Sequence, residues 1–224
     1  MDLRAIAEEL QPKSMAARDW VFQVIRTAII RGVLPGGVPL RQDEISQALS
    51  VSHIPVREAF RQLEAQGLVR IYPNRGAVVT KLTLEEMKNI MDIRILLELG
   101  AIRAAVASTS MTNDIIESAQ AICEEFKHET DINKLEDLNL RFHFALYRPA
   151  NNLVLEQYID QLHANVDRYV RPFYSENQIH KNAYDDHIML LEACRSRDVE
   201  LANAILRTHL ETTKVLLINS PVLL

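Results

Sequence analysis

The sequence predicts a mainly α-helical protein: an N-terminal winged helix-turn-helix with a small β-wing, followed by an all-α helical bundle. Two short helical patterns, over 43–49 and 52–67, are joined by a tight connection. Two strand-like runs, 68–72 and 77–81, flank a Pro-Asn-Arg-Gly turn. From residue 84 onward only helical periodicity is found. We expect the first domain to span residues 12–82 and the second residues 83–220.

The second of the two short helices has clear start and stop signals. Ser52 is a good N-cap, and Pro55 lies in the first turn, where proline favours helix entry. Gly67 ends the helix. Arg57 and Arg61 are four residues apart and share an outward face. An inward stripe is formed by Val56, Ala59, Phe60 and Leu63. A helix-turn-helix whose second helix carries outward arginines is typical of DNA-binding proteins.

The remaining helices follow from apolar spacing and from the residues that interrupt it. A first helix is expected at Ala16–Arg31, ending before Gly32. Another begins after Thr83 and is expected to turn Met87, Ile90, Ile93, Leu97 and Ala101 inward. Further helical patterns cover about 112–128, 131–148, 152–171, 177–196 and 198–219.

Charge is divided unevenly along the 224 residues. Residues 1–82 hold 11 Lys and Arg against 8 Asp and Glu, whereas the rest hold 14 against 22. The N-terminal part is therefore mildly basic, and the acidic remainder is excluded as a second DNA surface. A single copy should bind DNA weakly, so we expect a homodimer that places two copies on two half-sites.

Other protein classes are disfavoured. No apolar run approaches the roughly 20 residues that span a bilayer. The mixed, acidic N-terminus is unlike a signal peptide, and the two cysteines lack metal or redox spacing. We therefore expect a cytoplasmic protein without a membrane partner. Nucleophile-elbow, phosphate-loop and dinucleotide motifs are absent from the sequence, which argues against an enzyme.

The N-terminal part resembles the GntR superfamily of bacterial transcription regulators over about residues 15–82. The matching segments are Pro35-Gly36, Leu40, Glu44-Ile45, VSHIPVREAF from Val51 to Phe60, Leu63-Glu64, Gly67-Leu68-Val69 and Arg75-Gly76. The family usually has Arg where His53 stands and often a basic residue where Asp43 stands. The resemblance implies DNA contacts by Arg41, Ser52, His53, Arg57, Arg61, Arg75 and Gly76. The alternative for Arg57 and Arg61 is an ion pair with Glu58 or Glu64.

Three histidines of the C-terminal part lie beside apolar positions on three different helices. His143 shares a helix face with Asn139, His187 precedes an apolar run, and His209 adjoins Leu210. Converging imidazoles with one oxygen ligand suit Zn²⁺, Ni²⁺ or a similar divalent transition metal. The alternative is a metal-free pocket in which these residues hydrogen-bond a ligand directly. The other histidines that bear on this pattern are expected at the surface or supporting the site from outside: His128, His163 and His180.

The same part resembles the FCD-type effector domain of the FadR subfamily over about residues 84–215. The matching residues are Arg94 with Glu98, Ala104-Ala105, Asn139 to His143, Asn151-Asn152, Asp186-His187 and Thr208-His209-Leu210. The resemblance implies a metal site at Asn139, His143, His187 and His209, where metal-binding members commonly have Asp in place of Asn139. It also implies a small carboxylate effector.

Arg94 is the leading candidate to anchor that carboxylate, because a guanidinium recognises carboxylates well. Asn165 and Arg168 are further candidates, with solvent exposure beside Asp167 or Asp160 as the alternative. The function expected is a ligand-responsive transcription regulator, a repressor that binds a palindromic double-stranded DNA operator as a dimer. The alternatives are a hydrolase in which a metal held by three histidines activates water, and a dimerising scaffold, which leaves the histidines unexplained.

Overall fold

The computed structural model describes residues 3–11, 15–73, 76–175 and 177–219. The chain divides into two compact units, Met1–Thr83 and Leu84–Leu224. The predicted domain limits at residues 12 and 220 lie outside the described residues, as does Arg75. Among the described residues, no helix combines the length and the apolar character needed to cross a membrane.

The N-terminal unit is a winged helix-turn-helix. Its elements are α1 (Leu3–Glu9), α2 (Ala17–Ile30), β1 (Pro39–Leu40), α3 (Gln42–Leu49), α4 (His53–Ala65), β2 (Val69–Tyr72) and β3 (Gly76–Val79). The strands form an antiparallel sheet in the order β1-β3-β2. Helix α1 and strand β1 were missed by the sequence prediction. Strand β1 has only two residues, and its pairing with β3 joins segments almost forty residues apart, which no local pattern signals.

The turn between α3 and α4 has the expected local chemistry. Ser50 ends α3 in the left-handed conformation, with φ of 54°, and Ser52 lies at the N-cap of α4. Among the described residues the Ser52 side chain makes no capping hydrogen bond, so its hydroxyl is available to another partner. The predicted stripe is buried as expected, with Val56, Ala59 and Leu63 completely inaccessible to solvent.

The C-terminal unit consists of helices. They are α5 (Leu84–Ala107), α6 (Asn113–His128), α7 (Ile132–Tyr147), α8 (Leu153–Val170), α9 (Asn177–Arg195) and α10 (Val199–Ile218), with short 3₁₀ turns at Arg148–Ala150 and Arg171–Ser175. Residues from α5, α6, α7, α8, α9 and α10 share one hydrophobic core. That core surrounds the polar residues described below.

The orientation predicted for α5 is wrong in part. Ile93 is 46% exposed, and Ile90 and Leu97 are only half-buried. The buried face instead carries Arg94 and Glu98, which are 4% and 0% exposed. A prediction from hydrophobic periodicity assigns charged side chains to the solvent-exposed face of a helix. It therefore predicts the wrong buried face for a helix that buries an ion pair.

Candidate functional site

The N-terminal unit carries a groove of about 820 Å³ between the helix-turn-helix and the sheet. Four of the residues expected to contact DNA line it: Arg41, Arg57, Arg61 and Gly76. The three arginines are exposed, as are Ser52 and His53 at the start of α4. The structure therefore brings these basic side chains to one surface, next to the beginning of the second helix.

Acidic neighbours compete for some of these side chains. Arg41 Nη1 lies 3.4 Å from Glu44 Oε1, and His53 Nε2 lies 3.5 Å from Asp43 Oδ1. Both pairs are well exposed, so each is weak and easily exchanged for a phosphate.

The arginines of the second helix are less constrained. Within the part of the chain that the structure describes, neither Arg57 nor Arg61 forms an ion pair. Glu64, the alternative partner considered for Arg61, instead accepts a hydrogen bond of 2.7 Å from the backbone N–H of Ile71. Both guanidinium groups are thus available to an anion in the groove.

Gly76 has a structural reason to be glycine. Its φ is +82°, and a Cβ placed there would lie 2.4 Å from the carbonyl oxygen of Leu40. A side chain would force β1 and β3 apart, because a backbone carbonyl cannot swing away as a flexible side chain can. Gly76 therefore shapes the groove whether or not its backbone meets DNA.

In the C-terminal unit, the three predicted histidines come together. His143 on α7, His187 on α9 and His209 on α10 each offer a ring nitrogen, and these nitrogens lie within 4.8 Å of one another. The ring centroids are 5.0, 5.3 and 5.4 Å apart. Asn139 lies one turn before His143 on α7 and lines the same cavity.

Each ring is held in a different way. His143 Nδ1 is 3.3 Å from the hydroxyl of Tyr147, and His209 Nδ1 is 2.9 Å from Asp186 Oδ2. His187 stacks on Phe142 with a centroid distance of 4.1 Å, and neither of its nitrogens has a hydrogen-bond partner among the described residues. A buried imidazole with both nitrogens unsatisfied is costly, and a metal ion would satisfy one of them.

Burial also favours the neutral rings that a metal needs. Burial, with a smaller contribution from the neighbouring His209, holds the pKa of His143 well below its ordinary value. Burial, followed by the influence of His143, does the same to the pKa of His187. Both imidazoles are therefore neutral at physiological pH, with a lone pair for coordination. The donor set fits a divalent transition metal.

A buried polar network adjoins the cluster. Arg94 Nε donates to Glu98 Oε1 at 2.8 Å, and the Tyr147 hydroxyl donates to Glu98 Oε2 at 2.8 Å. Although burial alone would raise the pKa of Glu98, the adjacent guanidinium holds it well below its usual value. Arg94 Nη2 lies 2.9 Å from His163 Nε2. Since a guanidinium only donates, this nitrogen of His163 accepts.

His163, expected either at the surface or supporting the site from outside, is a buried residue of the cavity lining. It is 2% exposed and lines the cavity, so a surface position is excluded. Its spacing held a signal: it lies four residues after Ile159 and three before Val166, both fully buried on α8. His180 is half-buried and packs against Phe126, with its Nε2 2.7 Å from the Phe126 carbonyl oxygen.

The cavity in front of the histidines is small. Its volume is about 50 Å³, and among its lining residues are Arg94, Asn139, His143, His163, Asp167 and His209. This space accommodates an ion and a few water molecules. The apolar residues of the lining come from the end of α8, the Arg171–Ser175 turn, α9 and α10.

Two predicted effector residues do not reach this cavity. The Asn165 side chain donates to the backbone carbonyl of Gln161 in its own helix and is 6% exposed. The Arg168 guanidinium lies 4.9 Å from the ring centroid of Tyr169, is half-buried, and is also absent from the cavity lining. The solvent-exposed alternative is wrong, because Asn165 is buried and Arg168 is half-buried, and their contact with an effector stays a prediction.

Both units match known protein families. Residues 17–79 match the gntR family of bacterial regulatory proteins, and residues 89–212 match the FCD domain. The chain is 28% identical over 195 residues to the HTH-type transcriptional repressor RspR of Escherichia coli K12, covering 85% of this chain and 84% of that protein. It is 29% identical over 205 residues to a probable D-xylose utilization operon transcriptional repressor of Paenarthrobacter nicotinovorans, covering 92% and 89%.

A solved structure has the same fold. The E. coli protein McbR/YncC superposes with a TM-score of 0.81 at 22% identity, covering 91% of this chain and 97% of that one. These relatives are transcription regulators rather than enzymes, in agreement with the sequence interpretation. With a helix-turn-helix matching one family and a histidine-bearing helical unit matching the other, this chain is a DNA-binding transcription regulator of the GntR family, in the FadR-type branch that carries an FCD domain.

Proposed function

We propose that this regulator binds a palindromic operator as a homodimer and that a small carboxylate, held at a divalent metal, changes its affinity for that operator. The observation that carries the proposal is the meeting of His143, His187 and His209, of which His143 and His209 line a cavity together with Arg94. A cluster of three imidazoles, two of them buried and neutral, beside a cationic side chain suits a metal with an anionic ligand.

On the DNA side, we place the phosphate and base contacts in the basic groove. The arginines expected to neutralise phosphates are Arg41, Arg57 and Arg61, and Ser52 and His53 lie where the first turn of a recognition helix meets base edges. Gly76, at the start of β3, and Arg75, which lies outside the described residues, complete the proposed contact set. The N-terminal part of each chain brings only a modest excess of basic residues, 11 Lys and Arg against 8 Asp and Glu in residues 1–82, so we infer that two chains bind together.

On the ligand side, we assign the three histidines and Asn139 to a Zn²⁺ or Ni²⁺ ion. When bound, the ion supplies a Lewis-acidic position that attracts a carboxylate oxygen. Asn139 brings an amide oxygen instead of a negative charge, so the site is more positive than one built with Asp and favours an anionic ligand.

Arg94 can contact the carboxylate, but its guanidinium is already paired with Glu98. Glu98 neutralises much of its charge, and both side chains are buried at a separation of 2.8 Å. The metal, rather than Arg94, is therefore the principal anchor. With only about 50 Å³ free, the effector is either very small or bound with an outward movement of the surrounding helices. Such a movement is the signal that would reach the DNA-binding unit.

A binding experiment on chelated and Zn²⁺-loaded protein tests the proposal. An operator would be selected from random duplex DNA, and the Kd measured by fluorescence anisotropy for both forms of the protein, each with and without a series of carboxylates at equal ionic strength. We expect at least one carboxylate to change the Kd about 5–150-fold, the usual range of allosteric coupling. As the relatives are named repressors, the expected sign is weaker binding with ligand.

Matched variants separate the ligand site from the DNA site. His187→Ala is expected to keep operator binding and lose the response to carboxylate, whereas His128→Ala, an exposed histidine on α6, should keep both. If carboxylates act equally on chelated and Zn²⁺-loaded protein, the metal assignment is wrong and the pocket binds its ligand without metal. If no selected DNA binds, the proposal fails as a whole.

A further inference from the structure

The hydrogen bonds behind His143 have only one consistent direction. Glu98 is a carboxylate beside the Arg94 guanidinium, with Arg94 Nε 2.8 Å from Oε1, and it has no hydrogen to give. Tyr147 must therefore donate its single hydroxyl hydrogen to Glu98 Oε2, at 2.8 Å. The phenol oxygen can then only accept from His143 Nδ1, at 3.3 Å. It follows that Nδ1 of His143 carries the hydrogen and Nε2 carries the lone pair.

His209 reaches the same state by a different route. Its Nδ1 is 2.9 Å from Asp186 Oδ2, and a carboxylate oxygen only accepts. In the neutral ring the hydrogen is therefore on Nδ1, and the lone pair is again on Nε2. The side chain of Asp186 is 28% exposed. It therefore lies outside the buried hydrogen-bonded group of Arg94, Glu98 and Tyr147 that orients His143.

His187 is held without such a partner. Its ring stacks on Phe142 at 4.1 Å with an interplanar angle of 25°. Neither nitrogen has a hydrogen-bond partner among the described residues. Stacking fixes the plane of a ring but does not choose which nitrogen is protonated.

We propose that Tyr147 and Asp186 are positioning residues that fix His143 and His209 in the Nδ1–H tautomer, whereas His187 is left free to exchange tautomers until a ligand binds. The inference deepens the proposed metal site and rests on it for its functional meaning. Two of the three imidazoles are thus pre-oriented with Nε2 as donor, and the third adapts. Contacts that orient metal-binding histidines are worth about 10–100-fold in metal affinity.

The tautomers can be measured in the metal-free full-length protein. Ring ¹⁵N chemical shifts distinguish protonated from unprotonated nitrogens, and the spectrum would be recorded at about pH 8, above the ordinary histidine pKa of about 6.5. We expect single Nδ1–H forms for His143 and His209 and averaged shifts for His187. An Nε2–H form for either of the first two, or a single form for His187, would overturn the proposal.

Variants connect the tautomers to metal affinity, with Zn²⁺ as the probe in competition with a chromogenic chelator. Tyr147→Phe and Asp186→Ala are each expected to weaken Zn²⁺ binding about 10–100-fold and to release the tautomer of the histidine each one contacts. Asp186→Asn keeps an acceptor oxygen and should restore most of the affinity. The matched controls are Tyr158→Phe and Asp185→Ala, at exposed positions, which should leave both readouts unchanged.

Different results would refute the positioning role of Tyr147 and Asp186 and the metal site itself. If Asp186→Ala and Tyr147→Phe fold normally, by circular dichroism, yet retain wild-type Zn²⁺ affinity and tautomers, the positioning role is wrong and the metal site stands. If the wild-type protein shows the expected tautomers but takes up no Zn²⁺, the metal assignment is wrong, and the oriented imidazoles serve a metal-free pocket.

Discussion

Replacement of Arg61 by alanine isolates one phosphate contact in the basic groove. Arg61 is exposed on α4, lines the groove, and forms no ion pair within the described part of the chain. We therefore expect Arg61→Ala to remove a contact with DNA without unfolding the helix. If the protein binds as a dimer, two such contacts disappear together.

The magnitude follows from counterion release. Each phosphate contact contributes about 0.9 to the slope of log K against log salt concentration. Losing two contacts should make the slope shallower by about 1.8. Over a fourfold increase in salt, wild-type affinity should then fall about 12-fold further than that of the variant. Fluorescence anisotropy titrations at several salt concentrations, with the selected operator and a scrambled duplex, measure both slopes.

The control is Arg207→Ala, an exposed arginine on α10 paired with Glu211 at 3.7 Å. It should leave the slope unchanged, since it lies in the acidic C-terminal unit. An unchanged slope for Arg61→Ala would refute the assignment of this residue to phosphate. A decrease of only about 0.9 would mean that one arginine per complex is engaged, which would contradict binding as a symmetric dimer.

Two further predictions concern stability. Gly76→Ala should lower the free energy of unfolding of the N-terminal unit by more than about 3 kcal/mol, because the new Cβ meets the β1 backbone. Gly37→Ala, at φ +88° but with open space around it, should cost only about 1–2 kcal/mol; equal costs in urea unfolding would contradict the clash. Lowering the pH from about 6.5 to 5 should destabilise the metal-free C-terminal unit. In that window His143 and His187 bind protons when unfolded but not when folded, at up to about 1.4 kcal/mol per pH unit each. A flat profile of unfolding free energy against pH would rule out their buried, neutral state.

Local signals in the sequence were sufficient for the helix-turn-helix. The Ser52 start, the Pro55 first turn and the stripe through Phe60 each depend on residues close together in the chain, and the structure confirms the helix that they predict. Strand β1 depends instead on pairing with a distant strand. Its two residues, Pro39 and Leu40, carry no recognisable strand pattern.

The convergence of the three histidines could be predicted from the sequence, whereas the buried polar residues around them could not. His143, His187 and His209 border apolar positions on separate helices, and this was enough to expect convergence. The burial of Arg94 and Glu98 could not be predicted, because helical periodicity assigns charged side chains to the outside. Their burial is tolerated because the two charges lie 2.8 Å apart and neutralise each other.

Residues on α8 show the same limit. His163 enters the cavity, whereas Asn165 and Arg168 do not. These positions differ by less than two helical turns, and only the rotation of α8 against its neighbours decides which of them faces the cavity. That rotation depends on tertiary packing, which no short segment encodes.

The most direct test of a metal-bound effector site is the metal content of the full-length protein. Elemental analysis would be made on protein purified without chelator or histidine tag, beside His143→Ala and the control His128→Ala. We expect about one Zn or Ni per chain in the wild type and the control, and loss of the metal in His143→Ala. Wild-type protein that contains no metal, and acquires none on dialysis against Zn²⁺ or Ni²⁺, would contradict the proposed metal site.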